Sequence, residues 1–294
     1  MIISASRRTD IPAFYSEWFF NRLHDGFALV RNPMNPRQVS RVALSPEFVE
    51  GIVFWTKNPS PLLPRLSELA DMGYKSAFQF TLTPYGRDVE PNVPDKNSVL
   101  IPIFKELSDR LGAERVNWRY DPIFISERYD FNYHVRAFGK ICGKLNAYTK
   151  NVTISFVIPY KSIVKNIAPL NISYERPEQL RLAEKLAEIA HTHGLQISAC
   201  CAAELHSLGI VPAKCIDGTI FGAAIPRDIN QRANCNCSKS VDLGEYSTCL
   251  HNCSYCYANH TQTRVADKSA AHDVNSPLLI GNLNADDVVR IRAK

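Results

Sequence analysis

The amino-acid sequence predicts an α/β fold, and within that class a TIM-like (β/α) barrel, complete or partial, that ends in a cysteine-rich loop. Short apolar segments alternate with helix-like segments up to about eight times, which is typical of parallel strands joined by crossover helices. Polar and charged residues recur where the apolar segments end, and in a barrel these ends meet on the active-site face. No G-x-G-x-x-G segment follows the first predicted strand, which disfavours a dinucleotide-binding sheet.

The predicted strands are short and apolar, and in chain order they cover residues 2–5, 27–30, 51–55, 77–82, 116–120, 152–158, 195–199 and 218–221. The predicted helices cover residues 12–23, 62–72, 97–111, 132–146 and 175–192. In the last of them, apolar residues recur at helical spacing from Leu180 to Ala190, so this helix is the clearest. Gly26, Gly73 and Gly194 stand where three of the helices should end, a position that favours glycine.

The chain is predicted to have three parts. Residues 1–221 form the barrel, residues 222–262 form a cysteine-rich, cluster-binding loop on its active face, and residues 263–294 form an extension packed on the barrel. Six of the nine cysteines lie between residues 215 and 256. The C-terminal third is therefore expected to bind metal.

Composition and charge fit a folded protein without a membrane span. The 294 residues are 45% hydrophobic and 21% charged, with a net charge of +5, which allows an anionic substrate or nucleic acid and requires neither. The N-terminus lacks the pattern of a signal peptide, and no apolar run approaches the roughly 18 residues of a membrane span. Cysteines without a secretion signal indicate a reducing compartment, so we expect a cytoplasmic protein.

Three cysteines near the end of the chain, Cys249, Cys253 and Cys256, form a C-x3-C-x2-C array. Three thiolates can hold three irons of a 4Fe–4S cluster and leave the fourth iron open to a substrate or cofactor. The alternative is a zinc site closed by Cys237 or His251. Zinc sites usually pair C-x2-4-C segments a dozen or more residues apart, and this chain matches that spacing poorly.

A second set of cysteines can fill an ordinary four-iron cluster. It consists of Cys215, Cys235 and Cys237 with either Cys200 or Cys201, and we take Cys201 as the fourth ligand. In the alternative interpretation, Cys200 and Cys201 are small buried residues at a strand end, since free cysteine often packs in cores. Cys142, alone on a predicted helix, is expected to lie in the core.

Several polar and aromatic residues at predicted strand ends are candidate ligand contacts. The basic candidates are Arg7, Arg8, Arg31, Lys57 and Arg119, and arginine matches carboxylate or phosphate with a planar fork. Glu204 could receive the amino group of a cofactor or cap a surface helix. Trp55 and Trp118 could stack on a base or simply pack. His251, inside the cysteine array, is expected to face solvent.

The cysteine array with Tyr255 directly before its third cysteine resembles the signature of radical S-adenosylmethionine (SAM) enzymes. The resemblance implies that the open iron chelates the amino and carboxylate groups of SAM. It further implies that one electron, from a donor such as ferredoxin or flavodoxin, cleaves SAM to a 5′-deoxyadenosyl radical. That family normally carries the array near its N-terminus, whereas here it lies near the C-terminus.

The whole chain also resembles a bacterial family, catalogued as a domain of unknown function, that carries a radical-SAM-type cysteine cluster at its C-terminus. The shared segments are Ser4–Pro12, Phe54–Pro59, Asn230–Arg232, Cys235–Cys237 and Tyr246–Ala258. This resemblance implies a family without implying a reaction.

These observations together predict a radical-SAM-type enzyme that abstracts hydrogen from an unidentified substrate, which the charge allows to be anionic, with a second, auxiliary cluster. One alternative is a zinc-stabilised binding module, for nucleic acid, without catalysis. Another is a metal-independent barrel enzyme whose cysteines are structural. No run of basic and aromatic residues supports the binding module.

Overall fold

Eight parallel strands form the central sheet of the molecule. The structure is a computed structural model that describes residues 1–292. In chain order the strands are β1 (Ile2–Ala5), β2 (Phe27–Asn32), β3 (Asn35–Ala43), β4 (Gly51–Thr56), β5 (Ser76–Thr81), β6 (Val116–Ile123), β7 (Asn151–Phe156), β8 (Gln196–Ala199), β9 (Val211–Pro212), β10 (Ser240–Asp242) and β11 (Val288–Ile291). The predicted α/β class and its parallel sheet are confirmed.

The strands of the central sheet lie in the order β10-β1-β4-β5-β6-β7-β8-β9, so the ladder of paired strands ends at β9 on one side and at β10 on the other. One backbone hydrogen bond joins the segments beside these two edges, from the Ser238 N–H to the Ile216 carbonyl at 2.8 Å. Strand order alone does not show a closed ring, so a complete barrel stays a prediction.

The helices are α1 (Ile11–Phe14), α2 (Ser16–His24), α3 (Leu66–Asp71), α4 (Ile101–Leu111), α5 (Phe131–Leu145), α6 (Val164–Ile167), α7 (Arg176–Thr192) and α8 (Gln262–Ala270). The five predicted helices are present, but the first is split at Tyr15 into α1 and α2. A π-helical turn, Lys96–Leu100, precedes α4, because Pro102 has no N–H to continue an α-helical ladder. Cys142 is buried on α5, as predicted.

Two predicted strands of the barrel are wrong. Residues 27–30 lie in β2, which pairs antiparallel with β3 in a separate three-stranded sheet. Only two residues join β2 to β3, which permits a hairpin and not a parallel crossover. Residues 218–221 form a 3-10 turn, because the Asp217 carboxylate accepts the Thr219 N–H at 2.9 Å and Gly222 ends the turn in the left-handed region.

The cysteine-rich segment and the C-terminal tail add strands that the sequence did not reveal. β10 lies within residues 222–262 and pairs with β1, and β11 extends the second sheet beside β3. The tail is anchored by Trp18, whose indole N–H donates to the carbonyls of Ser276 at 2.9 Å and Leu278 at 3.1 Å. Within residues 1–292, no helix is long and apolar enough to cross a membrane.

Alternate residues of the central sheet face two different environments, as the two-residue period of strands requires. Phe54, Phe78 and Trp118 are buried in the main core with the helices. Val53 and Ala77, on the other face, pack with the cysteines of the second set. The residues that continue this second face toward the strand ends are therefore directed to the cysteine side of the sheet.

Candidate functional site

Both cysteine sets line one cavity at the carboxyl ends of the parallel strands, with a volume of about 1040 Å³. Its walls come from the segments after β1, β4, β6 and β7 and from residues 228–258. The cysteines that line it are Cys200, Cys215, Cys235, Cys237, Cys249, Cys253 and Cys256. The strand ends and the cysteine-rich segment thus line the same cavity.

The first set, Cys249, Cys253 and Cys256, lies on a compact turn. Asn252 adopts a φ of 54°, a left-handed conformation that asparagine tolerates better than most residues. The Cys256 N–H donates to the Cys253 carbonyl at 3.0 Å. The Asn259 amide donates to the Cys249 carbonyl at 2.7 Å. These bonds fold the array so that its three cysteines reach one wall of the cavity.

Burial raises the pKa of all three thiols of the first set. The Lys57 ammonium opposes this effect at Cys253 and Cys256, where it lowers the thiol pKa. Ionisation of a buried thiol is unfavourable unless positive charge lies beside it. A bound metal centre supplies such charge and converts thiols to thiolates.

A buried carboxylate, Glu90, ties this turn to the sheet. Lys57 Nζ lies 2.7 Å from Glu90 Oε1, and Lys96 Nζ lies 2.6 Å from Oε2. The hydroxyls of Thr83 and Tyr255 also donate to Glu90 Oε1. Burial disfavours the charged form, but the two ammonium groups outweigh it and lower the pKa of Glu90 to about 2. Tyr255, the aromatic residue of the array, is therefore fixed in the cavity wall by its hydrogen bond to this charged network.

His251 is buried, and the expectation that it faces solvent is wrong. Its Nε2 lies 2.9 Å from Asp10 Oδ2, and only 2% of its surface is exposed. Asp10 also accepts the backbone N–H groups of Lys57 at 2.7 Å and Ala13 at 3.0 Å. The histidine is engaged with the loop after β1, which leaves three thiols as the donors of the array.

The second set and the two alternatives for its fourth ligand come from three segments of the chain. These five cysteines are Cys200, Cys201, Cys215, Cys235 and Cys237. The Sγ atoms of Cys200 and Cys201 are 3.7 Å apart. Cys215 is within hydrogen-bonding reach of Cys200 and Cys237, and Cys201 is within reach of Cys235. Cys200 lines the cavity, whereas Cys201 is not among its lining residues. The geometry therefore favours Cys200 where the sequence analysis chose Cys201.

Two arginines contact sulfur atoms of this second set. Arg119, which is 5% exposed, donates from Nη1 to Cys215 Sγ at 3.1 Å, and Arg232 Nη2 lies 3.5 Å from Cys200 Sγ. Hydrogen bonds from the Cys200 and Cys237 thiols, and then the Arg119 charge, hold the pKa of Cys215 well below its usual range. Thiolate is therefore favoured at Cys215, whereas hydrogen bonding to Cys215 and burial raise the pKa of the Cys200 and Cys237 thiols.

Arg7, Arg8, Lys57 and Arg119 line the cavity, but Glu204 does not. Glu204 is exposed on the 3-10 turn Ala203–Leu208, where it pairs with Arg176. The structure thus places Glu204 outside the cavity that holds both cysteine sets.

The two tryptophans and Arg31 also separate into different environments. Trp55 lines the cavity, whereas Trp118 is fully buried and donates to the Leu82 carbonyl at 2.9 Å. Arg31 lines the cavity but forms two hydrogen bonds with Asp287, each of 2.7 Å. Trp118 is therefore a packing residue, and Arg31 is engaged within the chain.

Sequence reasoning missed Glu90 and Asp242, whose hydrogen bonds join segments of the site that lie far apart along the chain. Asp242 accepts the hydroxyls of Ser4 at 2.8 Å and Ser6 at 2.7 Å, and the Arg7 N–H at 2.8 Å. These partners lie more than 230 residues away along the chain. The signal available was the position of Asp242 beside an apolar segment, Val241 and Leu243, which also marks β10.

The donor groups of the cavity are mainly thiols. Within residues 1–292, no group of three or more His, Cys, Asp or Glu side chains is arranged to hold a single metal ion. The array of the first set supplies three soft ligands, which is the number that an open four-iron cluster takes from a protein.

A family model described as "Domain of unknown function (DUF1848)" matches residues 2–258. The match covers the central sheet, both cysteine sets and every residue that lines the cavity except Arg292. No curated protein matches the chain. The family description names no reaction, cofactor or substrate, so function has to be argued from the cavity itself.

Proposed function

The chain belongs to this family of unknown function, and we propose that it is a radical-SAM-type enzyme with a 4Fe–4S cluster on Cys249, Cys253 and Cys256. One observation carries the proposal. The three thiols of a C-x3-C-x2-C array open onto a cavity of about 1040 Å³ at the carboxyl ends of parallel strands, where α/β enzymes bind their substrates.

The residues of the site fit such a cluster. The array offers three thiols, and its histidine is bonded to Asp10, so one iron stays open to a cofactor. The cavity lies at the upper end of the roughly 300–1,000 Å³ that is usual for ligand sites, which leaves room for SAM and a substrate together. When bound there, the cluster and SAM supply one-electron cleavage of SAM and hydrogen abstraction by the 5′-deoxyadenosyl radical.

The chain's own residues hold and shield this site. Glu90 accepts a hydrogen bond from the Tyr255 hydroxyl and forms an ion pair with Lys57. These contacts fix the position of the turn between Cys253 and Cys256. The nearby Lys57 ammonium favours thiolate at both cysteines. We assign Lys57, Glu90 and Tyr255 a positioning role.

An auxiliary four-iron cluster on the second set is the further part of the proposal. The contacts among the five sulfur atoms support it, with Cys200, Cys215, Cys235 and Cys237 as the four that line the cavity. Arg119 and Arg232 offset the negative charge that four thiolates bring. A low-potential donor, ferredoxin or flavodoxin, is the expected partner for reduction.

Electron paramagnetic resonance of reduced protein tests the cofactor assignment. In a Cys235→Ala/Cys237→Ala variant, reconstituted without oxygen, only the first cluster remains. Addition of SAM should change the spectrum of the reduced cluster, because SAM binds its open iron. A spectrum that SAM leaves unchanged contradicts the proposal. Colourless protein that retains zinc supports the zinc-stabilised binding module instead, and nucleic-acid binding that weakens steeply with salt would extend that alternative.

A further inference from the structure

The cavity wall carries more basic than acidic side chains. The basic residues that line it are Arg7, Arg8, Arg31, Lys57, Arg119, Arg232, Lys239 and Arg292. The acidic ones are Asp10, Asp121, Asp228 and Asp242. An excess of positive charge in a concave, low-dielectric space raises the local concentration of anions.

Several of these cations already have partners within the chain. Lys57 pairs with Glu90, and Arg31 pairs with Asp287. Arg119 pairs with Asp121 and also contacts the second cysteine set. These three are therefore not available as the main contact for a ligand.

Arg232 and Arg8 are also engaged. Arg232 lies against Cys200 Sγ and the Tyr160 hydroxyl. Arg8 Nε lies 3.9 Å from Asp242 Oδ1, and Arg8 also donates to the Gly244 carbonyl at 3.3 Å. Arg232 is therefore engaged with the sulfur of Cys200, and the positive charge of Arg8 is partly balanced by the Asp242 carboxylate.

Arg7 differs from all of these. Its Nη1 donates to Gln231 Oε1 and its Nη2 to Ser240 Oγ, each at 3.0 Å. Its guanidinium carbon lies 5.7 Å from the centre of the Trp55 ring. Within residues 1–292 the guanidinium has no carboxylate within 4.0 Å, and its Nε is buried without a hydrogen-bond partner.

One carboxylate, Asp228, interacts electrostatically with Arg7 without forming an ion pair with it. Arg7 contributes to a lowered pKa of Asp228, after burial, which opposes it, and hydrogen bonds from Gln231 and Asn230. The oxygens of Asp228 accept from the Asn230 N–H and from Gln231 Nε2, each at 3.0 Å. Asp228 thus holds Gln231, and Gln231 holds Arg7.

We infer that Arg7 is the anchor of an anion-binding subsite, which takes a carboxylate or phosphate group of a ligand in the cavity. Its side chain is fixed by neutral partners, so no carboxylate neutralises its charge, and the second N–H on each of Nη1 and Nη2 is left for the ligand. A planar guanidinium on an aromatic ring is suited to both oxyanions. The inference rests on the proposed function only in its choice of ligands: the anion belongs either to SAM, as its carboxylate, or to the substrate.

Isothermal titration of the anaerobically reconstituted protein tests this subsite with two probes, SAM and inorganic phosphate. In an Arg7→Gln variant, binding of at least one probe should weaken about tenfold or more, since a charge-assisted hydrogen bond is lost. Arg290→Gln is the matched control, because Arg290 lies on the exposed strand β11 and does not line the cavity. This control should bind both probes as the wild type does.

The pattern of loss identifies the source of the anion. Weaker SAM binding with unchanged phosphate binding assigns Arg7 to the SAM carboxylate, and the reverse assigns it to the substrate. Arg7→Lys, which keeps the charge without the planar fork, serves if Arg7→Gln does not fold, and it should also weaken binding. Unchanged binding of both probes overturns the inference, as does wild-type protein that binds neither. Phosphate binding needs no SAM cleavage, so the subsite and the proposed function can fail separately.

Discussion

Lys57 Nζ lies 2.7 Å from Glu90 Oε1, and Glu90 is only 1% exposed. Replacing Glu90 by Gln leaves two buried ammonium groups without their counter-charge. Breaking a buried ion pair from one side costs about 3–5 kcal/mol, so the free energy of unfolding should fall by that amount in urea denaturation. Glu68→Gln is the control, because Glu68 pairs with Arg65 near the surface and should cost no more than about 1 kcal/mol. If the free energy of unfolding fell equally in both variants, the Glu90 network would not be what stabilises the cysteine turn.

His134 should make stability depend on pH. Its Nδ1 lies 2.8 Å from the Tyr120 hydroxyl and its Nε2 lies 2.8 Å from the Phe124 carbonyl, and burial lowers its pKa from 6.5 to about 4. Between these pH values the unfolded chain binds the proton that the folded chain rejects, so stability rises with pH there and is lost in acid. The loss between pH 6.5 and 4 should be roughly 3 kcal/mol.

His134→Gln keeps polar groups at this position and removes the titration. Unfolding of the wild type and the variant should be followed across pH 4–7. The wild type should show the acid-dependent component and the variant should lack it. Parallel pH profiles in the two proteins would contradict the buried, neutral state of His134.

Arg119 should set the reduction potential of the auxiliary cluster. Its N–H contacts Cys215 Sγ at 3.1 Å, and hydrogen bonds and positive charge near sulfur stabilise the reduced state. In Arg119→Gln the midpoint potential should fall by on the order of tens of millivolts, measured by a redox titration followed by electron paramagnetic resonance. Arg290→Gln should leave it unchanged. An unchanged or raised midpoint potential in Arg119→Gln would contradict the prediction that Arg119 stabilises the reduced cluster.

The two cysteine sets should bind iron independently. Reconstituted wild type should hold about eight irons, and about four should be lost in Cys253→Ala/Cys256→Ala or in Cys235→Ala/Cys237→Ala. Cys142→Ala is the control, because Cys142 is buried on α5 and does not line the cavity. A wild-type count near four would eliminate the auxiliary cluster. Colour and iron that survive every double substitution would eliminate both sites.

Five helical regions and six of the eight strands of the parallel sheet could be predicted, because their signals are local, whereas the short helices α6 and α8 were not predicted. Helix α7 keeps its apolar spacing over 17 residues. β4 and β5 are mostly apolar, and β6 begins by alternating apolar and polar residues. β9 and β10 are only two and three residues long, too short for any periodicity. β10 also depends on pairing with β1 near the other end of the chain, whereas β9 pairs with the nearby β8.

In the candidate site, too, only the features with a local sequence signal could be predicted. The cysteine arrays are visible in sequence because ligand spacing is local and chemically distinctive. Glu90 is not, since its partners Lys57, Lys96 and Tyr255 come from three separate segments. Nor does sequence show that His251 turns inward to Asp10. Such roles come from tertiary contacts that have no sequence period.

The central claim is most directly tested by SAM cleavage. Anaerobically reconstituted protein with a full iron content should convert SAM to methionine and 5′-deoxyadenosine when dithionite supplies electrons. Cys253→Ala should abolish this conversion, while Cys142→Ala should retain it. Fully loaded wild-type protein that leaves SAM intact under these conditions would contradict the assignment of a radical-SAM-type enzyme.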